Sequence, residues 1–133
     1  MNLDILPAEI RSAVEAAQEK QAVDVVVMKL PSAFAEYFLL ASGQSAPQIV
    51  AIAQAIEERL DRERLRLIHR EGKSGAEWLL LDYGFFVVHV FSQPARQYYD
   101  LERLWRNAER FDFPPPETPA GQRDESESGA IQP

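Results

Sequence analysis

Apolar positions along the chain change their spacing several times, and each change predicts an element. Leu6, Ile10, Ala13, Val14 and Ala17 recur at helical spacing, while Glu9, Arg11, Glu15 and Glu19 fall on the opposite side. A helix is therefore predicted from about Pro7, with Lys20 and Gln21 closing it. Residues 23–30 (VDVVVMKL) form a β-branched run stopped by Pro31, which predicts a buried strand with Asp24 as the exception inside it. Residues 37–42 (YFLLAS) predict a second strand ending at Gly43. A second helix comes next, with Ser45 as N-cap, Pro47 in the first turn and Gln48 completing a capping box. Its stripe of Ile49, Ile52, Ala53, Ile56 and Leu60 faces the sheet. Leu65, Leu67 and His69 then alternate with Arg66, Ile68 and Arg70, which predicts a half-covered or edge strand before a flexible turn at residues 72–75.

Residues 77–91 (EWLLLDYGFFVVHVF) predict a β-hairpin at the centre of the domain, because two apolar segments are separated only by Asp82-Tyr83-Gly84. Trp78, Leu80 and Asp82 share one face of the first strand; Phe86, Val88 and Val90 alternate with Phe85, Val87, His89 and Phe91 in the second. A two-residue loop sets Trp78 opposite His89, whereas a three-residue loop sets Glu77 there, and both registers remain open. Past Pro94, Tyr98, Leu101, Leu104, Trp105 and Ala108 predict a last helix in which Tyr98, Leu101 and Trp105 pack inward.

Four of the nine prolines fall within residues 114–119, and the chain beyond them is mostly Glu, Asp, Ser, Gly and Gln. The domain is therefore predicted over residues 1–111, with residues 112–133 as a disordered acidic tail. With 133 residues and 46% hydrophobic content, a single core is expected. The absence of cysteine removes disulfides, thiolate metal sites and a cysteine nucleophile. No apolar run approaches the roughly 18 residues of a membrane span and no signal-peptide core is seen, so a cytoplasmic location is expected. A net charge of −7 argues against broad contact with nucleic-acid phosphates and favours a basic protein partner.

Residues able to carry chemistry are few. Gly43-Gln44-Ser45, between a strand and a capped helix, is a place where free N–H groups hold phosphate, which gives an alternative reading as a nucleotide-binding domain. Capping alone explains Ser45. Two strand carboxylates spaced for Mg²⁺ are not found; Asp100 and Glu102 have the spacing but lie in a helical pattern. His69 and His89 would need each other plus Glu71 or Asp82 to hold a metal, and no metal or cofactor is predicted. Trp78, opening a strand beside a mobile turn, and Tyr83, at a hairpin tip, are read as an exposed binding surface.

Several of these residues together resemble one family. Tyr37-Phe38, Ser42-Gly43-x-Ser45, Glu71-Gly72, Trp78, Leu81-Asp82-Tyr83-Gly84, Val88-His89-Val90-Phe91 and the run from Arg96 through Tyr98-Tyr99-Asp100-Leu101 to Trp105 are similar to the ribosomal silencing factor family, RsfS, also called Iojap-like. The likeness runs from about Leu6 to Asn107. It implies an α/β (α+β mixed) fold, a mixed five-stranded β-sheet flanked by helices, nucleotidyltransferase-like without the catalytic carboxylates. It further implies a protein that catalyses no reaction. Such a protein binds the fourteenth protein of the large ribosomal subunit (uL14) and sterically blocks joining of the small subunit. On this reading Trp78 and Tyr83 anchor the contact, flanked by Glu71, Glu77 and Asp82. A homodimer through the C-terminal aromatic helix is a further expectation, since Tyr99 and Trp105 compete for room in one core.

Overall fold

The centre of the sheet is a parallel pair, Tyr37–Gly43 (β2) beside Phe86–Ser92 (β5), and every other strand is added to it antiparallel. The computed structural model describes residues 6–31, 35–73 and 75–116; Ser74 of the predicted turn and residues 117–133 of the predicted tail lie outside them. In chain order the elements are α1 (Ala8–Glu19), β1 (Val23–Lys29), β2, α2 (Ala46–Arg62), β3 (His69–Glu71), β4 (Trp78–Asp82), β5, α3 (Gln93–Tyr99), α4 (Leu101–Leu104) and β6 (Glu109–Phe113). The strands lie in the order β3-β4-β5-β2-β1-β6.

The two long helices cover the same face. Ile10, Ala13, Val14 and Ala17 of α1 and Ile49, Ile52, Ala53, Ile56 and Leu60 of α2 are buried in one cluster with Val27, Leu39, Leu81 and Val88 of the sheet. Burial of aliphatic side chains at this density supplies the main driving force of the fold, about 25 cal/mol per Å² of apolar surface removed from water. Ser45 caps α2 as predicted, accepting from the Gln48 N–H at 3.1 Å. Gln48 reaches past its own cap, however: its Oε1 accepts from the Gln44 N–H at 2.6 Å and its Nε2 donates to the Lys20 and Gln21 carbonyls. One side chain thus ties the start of α2 to the end of α1.

Four expectations are corrected. Among the described residues the sheet has six strands, because Phe111 and Phe113 alternate inward against β1 and are buried, so ordered structure runs past residue 111. Only residues 69–71 of the alternating segment form a strand; Leu65 and Leu67 pack against the helical core without ladder partners. The last helix is split at Asp100, whose φ of 50° and ψ of 51° are left-handed, which asparagine and aspartate tolerate better than most residues. The hairpin turns at Gly84-Phe85, one residue later than either register supposed, with the Tyr83 N–H donating to the Phe86 carbonyl at 2.9 Å. Gly84 has a φ of +93°, the positive value that the first position of such a turn demands.

Asp24, the odd residue in β1, also has a positive φ of 51° and sits in a break of the β1–β2 register between Val23 and Val26. The two edge strands differ: β3 is three residues long, and β6 carries Arg110 and Asp112 outward before Pro114, Pro115 and Pro116. Because Phe111 is buried against β1, Phe111→Ala lowers unfolding free energy by about 3 kcal/mol in urea denaturation. A loss below about 1 kcal/mol, the level of an exposed substitution, would remove β6 from the fold.

Candidate functional site

The register of β4 on β5 assembles an aromatic surface on the face that the long helices leave open. Trp78 lies opposite Phe91, Leu80 opposite His89 and Asp82 opposite Val87. Leu40 and Phe38 of β2 continue the His89 and Val87 rows, and residues paired across strands share a face. Among the described residues the helices on this side are the short α3 and α4. Phe38, Trp78, Leu80 and Val87 are half-buried, and Tyr98, Tyr99 and Leu104 are exposed.

Trp78 is held on three sides. Its ring stacks on Phe91 with centroids 5.0 Å apart and meets Tyr99 at 4.5 Å. Its indole N–H donates to His89 Nδ1 at 3.0 Å, a diagonal reach of two residues across the strand pair. That bond leaves the His89 proton on Nε2, which is buried without a hydrogen-bond partner. Burial pushes the His89 pKa down to about 4, because no water solvates the imidazolium there. The histidine is therefore a neutral acceptor that orients the indole.

A second cluster fixes the helices that flank this surface. Ser92 caps α3, accepting from the Ala95 N–H at 3.1 Å. Arg96 is buried and donates to the Asp24 carbonyl at 2.6 Å, to Ser42 Oγ at 2.8 Å and to both carboxylate oxygens of Glu102 at 3.0 and 3.2 Å. Burial opposes the charge on Glu102, but bonds from Arg96 and Arg110 outweigh it and hold its pKa below the usual value. The break of α3 at Asp100 is what lets Glu102 fold back onto Arg96. The backbone irregularity at Asp24 supplies the carbonyl that Arg96 needs.

The structure gathers some predicted site residues and separates others. Glu71, Trp78 and Leu80 line a groove of about 190 Å³ with Gly72. Glu71 is exposed and bonds His69 Nε2 at 2.8 Å. Glu77 is exposed at the start of β4 and accepts from the Ser92 hydroxyl at 2.8 Å. Asp82, half-buried, accepts from the Gly84 N–H at 2.8 Å and shapes the turn. Tyr83 is corrected: it is only 4% exposed and stacks on Phe86 beneath the long helices, on the face opposite Trp78. The later turn makes Tyr83 the last residue of the strand alternation, not the tip. Burial, with Glu57 and Asp61 adding, pushes its hydroxyl up to about 12.

Tyr98 is a second correction, 82% exposed where core packing was predicted. Tyr99 and Trp105 both find partners within the chain, Trp78 for one and Phe38 at 6.3 Å for the other. Helical periodicity misplaced Tyr98, and Tyr99 and Leu104 are exposed beside it; the aspartate at position 100, a residue type prone to left-handed backbone, was the available signal. At the Gly43 to Ser45 turn, the Gln44 N–H and the Gln48 N–H are both occupied internally. A Cβ on Gly43 would meet Ile49 Cγ1 at 2.9 Å, so close packing accounts for that glycine. Among the described residues no group of three His, Asp or Glu is placed to share a metal ion, and no helix is long and apolar enough to cross a membrane.

These features define a mixed α+β domain with one face sealed by the long helices and one face bearing half-buried and exposed aromatic side chains. The family model described as ribosomal silencing factor during starvation matches residues 4–132. A Bacillus subtilis protein named ribosomal silencing factor RsfS is 38% identical over 101 residues, 74% of this chain and 86% of the relative. A crystal structure of a Chromobacterium violaceum protein superimposes with a TM-score of 0.72 at 28% identity, covering 80% of this chain and 88% of the other. A mouse protein named mitochondrial assembly of ribosomal large subunit protein 1 is 28% identical over 102 residues, 73% of this chain and 45% of the relative. The chain belongs to the ribosomal silencing factor family.

The neutral state of His89 makes stability depend on acidity. Its pKa is lower folded (about 4) than the ordinary 6.5, so its contribution is complete above pH 6.5 and lost as the pH falls through that window to about 4. The loss is on the order of 3 kcal/mol. Denaturant unfolding of wild type and His89→Gln at pH 7, 5 and 4 checks it: the gap between them narrows on acidification. Parallel stability curves would show that the imidazole is not kept neutral.

Proposed function

We propose that this protein binds the large ribosomal subunit through the face bearing Trp78 and, seated there, blocks joining of the small subunit and holds translation down. Its direct partner is the fourteenth protein of the large subunit, its place of action the cytoplasm, and it catalyses no reaction. The observation that carries the reading is the half-exposed Trp78 indole, braced on Phe91, Tyr99 and His89 and bordered by Glu71 and Glu77.

An aromatic ring already locked in place loses little conformational freedom on binding, which is the property of an interface anchor. Acids at its border favour a basic protein surface and repel bare RNA phosphates, so they steer the chain toward ribosomal protein. The names of the relatives support the same direction, the Bacillus subtilis protein as a silencing factor and the mouse protein through the large subunit. Tyr83 supports the hairpin from behind and is not a contact residue in this reading. Nucleotide binding at residues 43–45 has no comparable support, since the Gln44 N–H and the Gln48 N–H in the first turn of α2 are already taken by side chains of the chain.

Sedimentation with purified large subunits tests the anchor. Trp78→Ala weakens co-sedimentation about thirtyfold, the loss of roughly 2 kcal/mol expected for a hot-spot aromatic. Undiminished binding by a folded Trp78→Ala chain excludes the anchor. Wild-type protein that binds large subunits yet leaves their joining to small subunits unchanged excludes the steric mechanism.

A further inference from the structure

Beside Trp78 lies a second groove, of about 440 Å³, lined by Glu77, Pro94, Ala95, Tyr98 and Tyr99. We infer that this groove receives an arginine side chain from a basic protein partner. The inference rests on the proposed ribosomal reading and deepens it: the arginine belongs to the protein whose surface also meets Trp78.

Three observations carry it. Tyr98 and Tyr99 stand with ring centroids 5.0 Å apart and planes at 90°, so they form two walls of a corner. Tyr99 cannot fold into that corner, because its ring is held against Trp78 at 4.5 Å. An aromatic face attracts a cation, and guanidinium, flat and weakly hydrated, stacks on it better than ammonium. Glu77 supplies the countercharge. Its Oε1 is pinned by the Ser92 hydroxyl at 2.8 Å, and that same hydroxyl accepts from the Ala95 N–H, so the carboxylate is fixed relative to the helix that carries the tyrosines. Among the described residues the second Glu77 oxygen has no hydrogen-bond partner. A guanidinium stacked in the corner reaches it with one N–H while presenting its face to a ring. The 82% exposure of Tyr98 and 51% exposure of Tyr99 match a site that the described residues leave open to a partner.

The chain as it stands, titrated with Nα-acetyl-arginine amide and separately with its uncharged citrulline analogue, tests the groove by NMR on the Tyr98 and Tyr99 rings and the Ala95 methyl. The arginine compound shifts these signals saturably and the citrulline compound does not; Glu77→Gln and Tyr98→Ala each weaken the response several-fold. With large subunits, the same two variants bind about tenfold more weakly than wild type, and Glu77→Gln also flattens the salt dependence, which lost packing alone would not do. Equal shifts from both compounds, or wild-type subunit binding by both variants, overturns the inference. So does a doubled mass in light scattering that Tyr98→Ala abolishes, because a second copy then fills the corner. Wild-type chain that fails to bind subunits defeats the ribosomal reading instead, and the arginine titration still decides the groove.

Discussion

The bond that closes the hairpin, from the Tyr83 N–H to the Phe86 carbonyl, sets every row of side chains across the sheet. Because side chains alternate with period two, a slip of one residue would exchange the two faces of β4. It would put Trp78 and Leu80 under the long helices and bring Leu79 and Leu81 to the surface. Gly84 guards against that slip: its φ of +93° is open to glycine and strained for other residues. The Asp82 carboxylate, bonded to the Gly84 N–H, holds the same turn from the side chain. Structure and candidate site therefore hang on one two-residue loop.

The unequal cover of the two faces comes from the number of long helices. Both pack on one side, where the largest buried cluster forms. On the other side the described helices are α3 and α4, short elements that bury little apolar surface of their own. Arg96 compensates, with four hydrogen bonds that join α3 to β1, β2 and α4. A buried guanidinium is tolerated because four of its five N–H groups have acceptors and Glu102 balances its charge. Polar fixing of α3 is what allows apolar surface beside it to stay uncovered.

Much of this was legible in the amino-acid order, for reasons that can be stated. The stripes of α1 and α2, the run of β1 and the Ser45 cap obey rules confined to a few neighbouring residues. So did the presence of a hairpin. What escaped depended on distant partners. β6 looked like the start of a polar tail because the prolines at 114–116 and the acids beyond outweighed Phe111 and Phe113, whose value appears only when β1 lies alongside. Tyr83 changed faces because the turn moved by one residue. Tyr98 went outward because the last helix breaks at Asp100, with no glycine or proline to announce it. Arg96 could not be singled out, since its acceptors come from Asp24, Ser42 and Glu102.

The margins of the sheet have a consequence for how the molecule behaves in a crowd. One margin, β3, offers only three residues of ladder, too few to template a neighbour. The other, β6, presents charged side chains and runs into prolines 114–116, which have no N–H to donate. Strand-by-strand growth is blocked at both ends. The sheet margins therefore give crowded copies no ladder on which to stack into filaments.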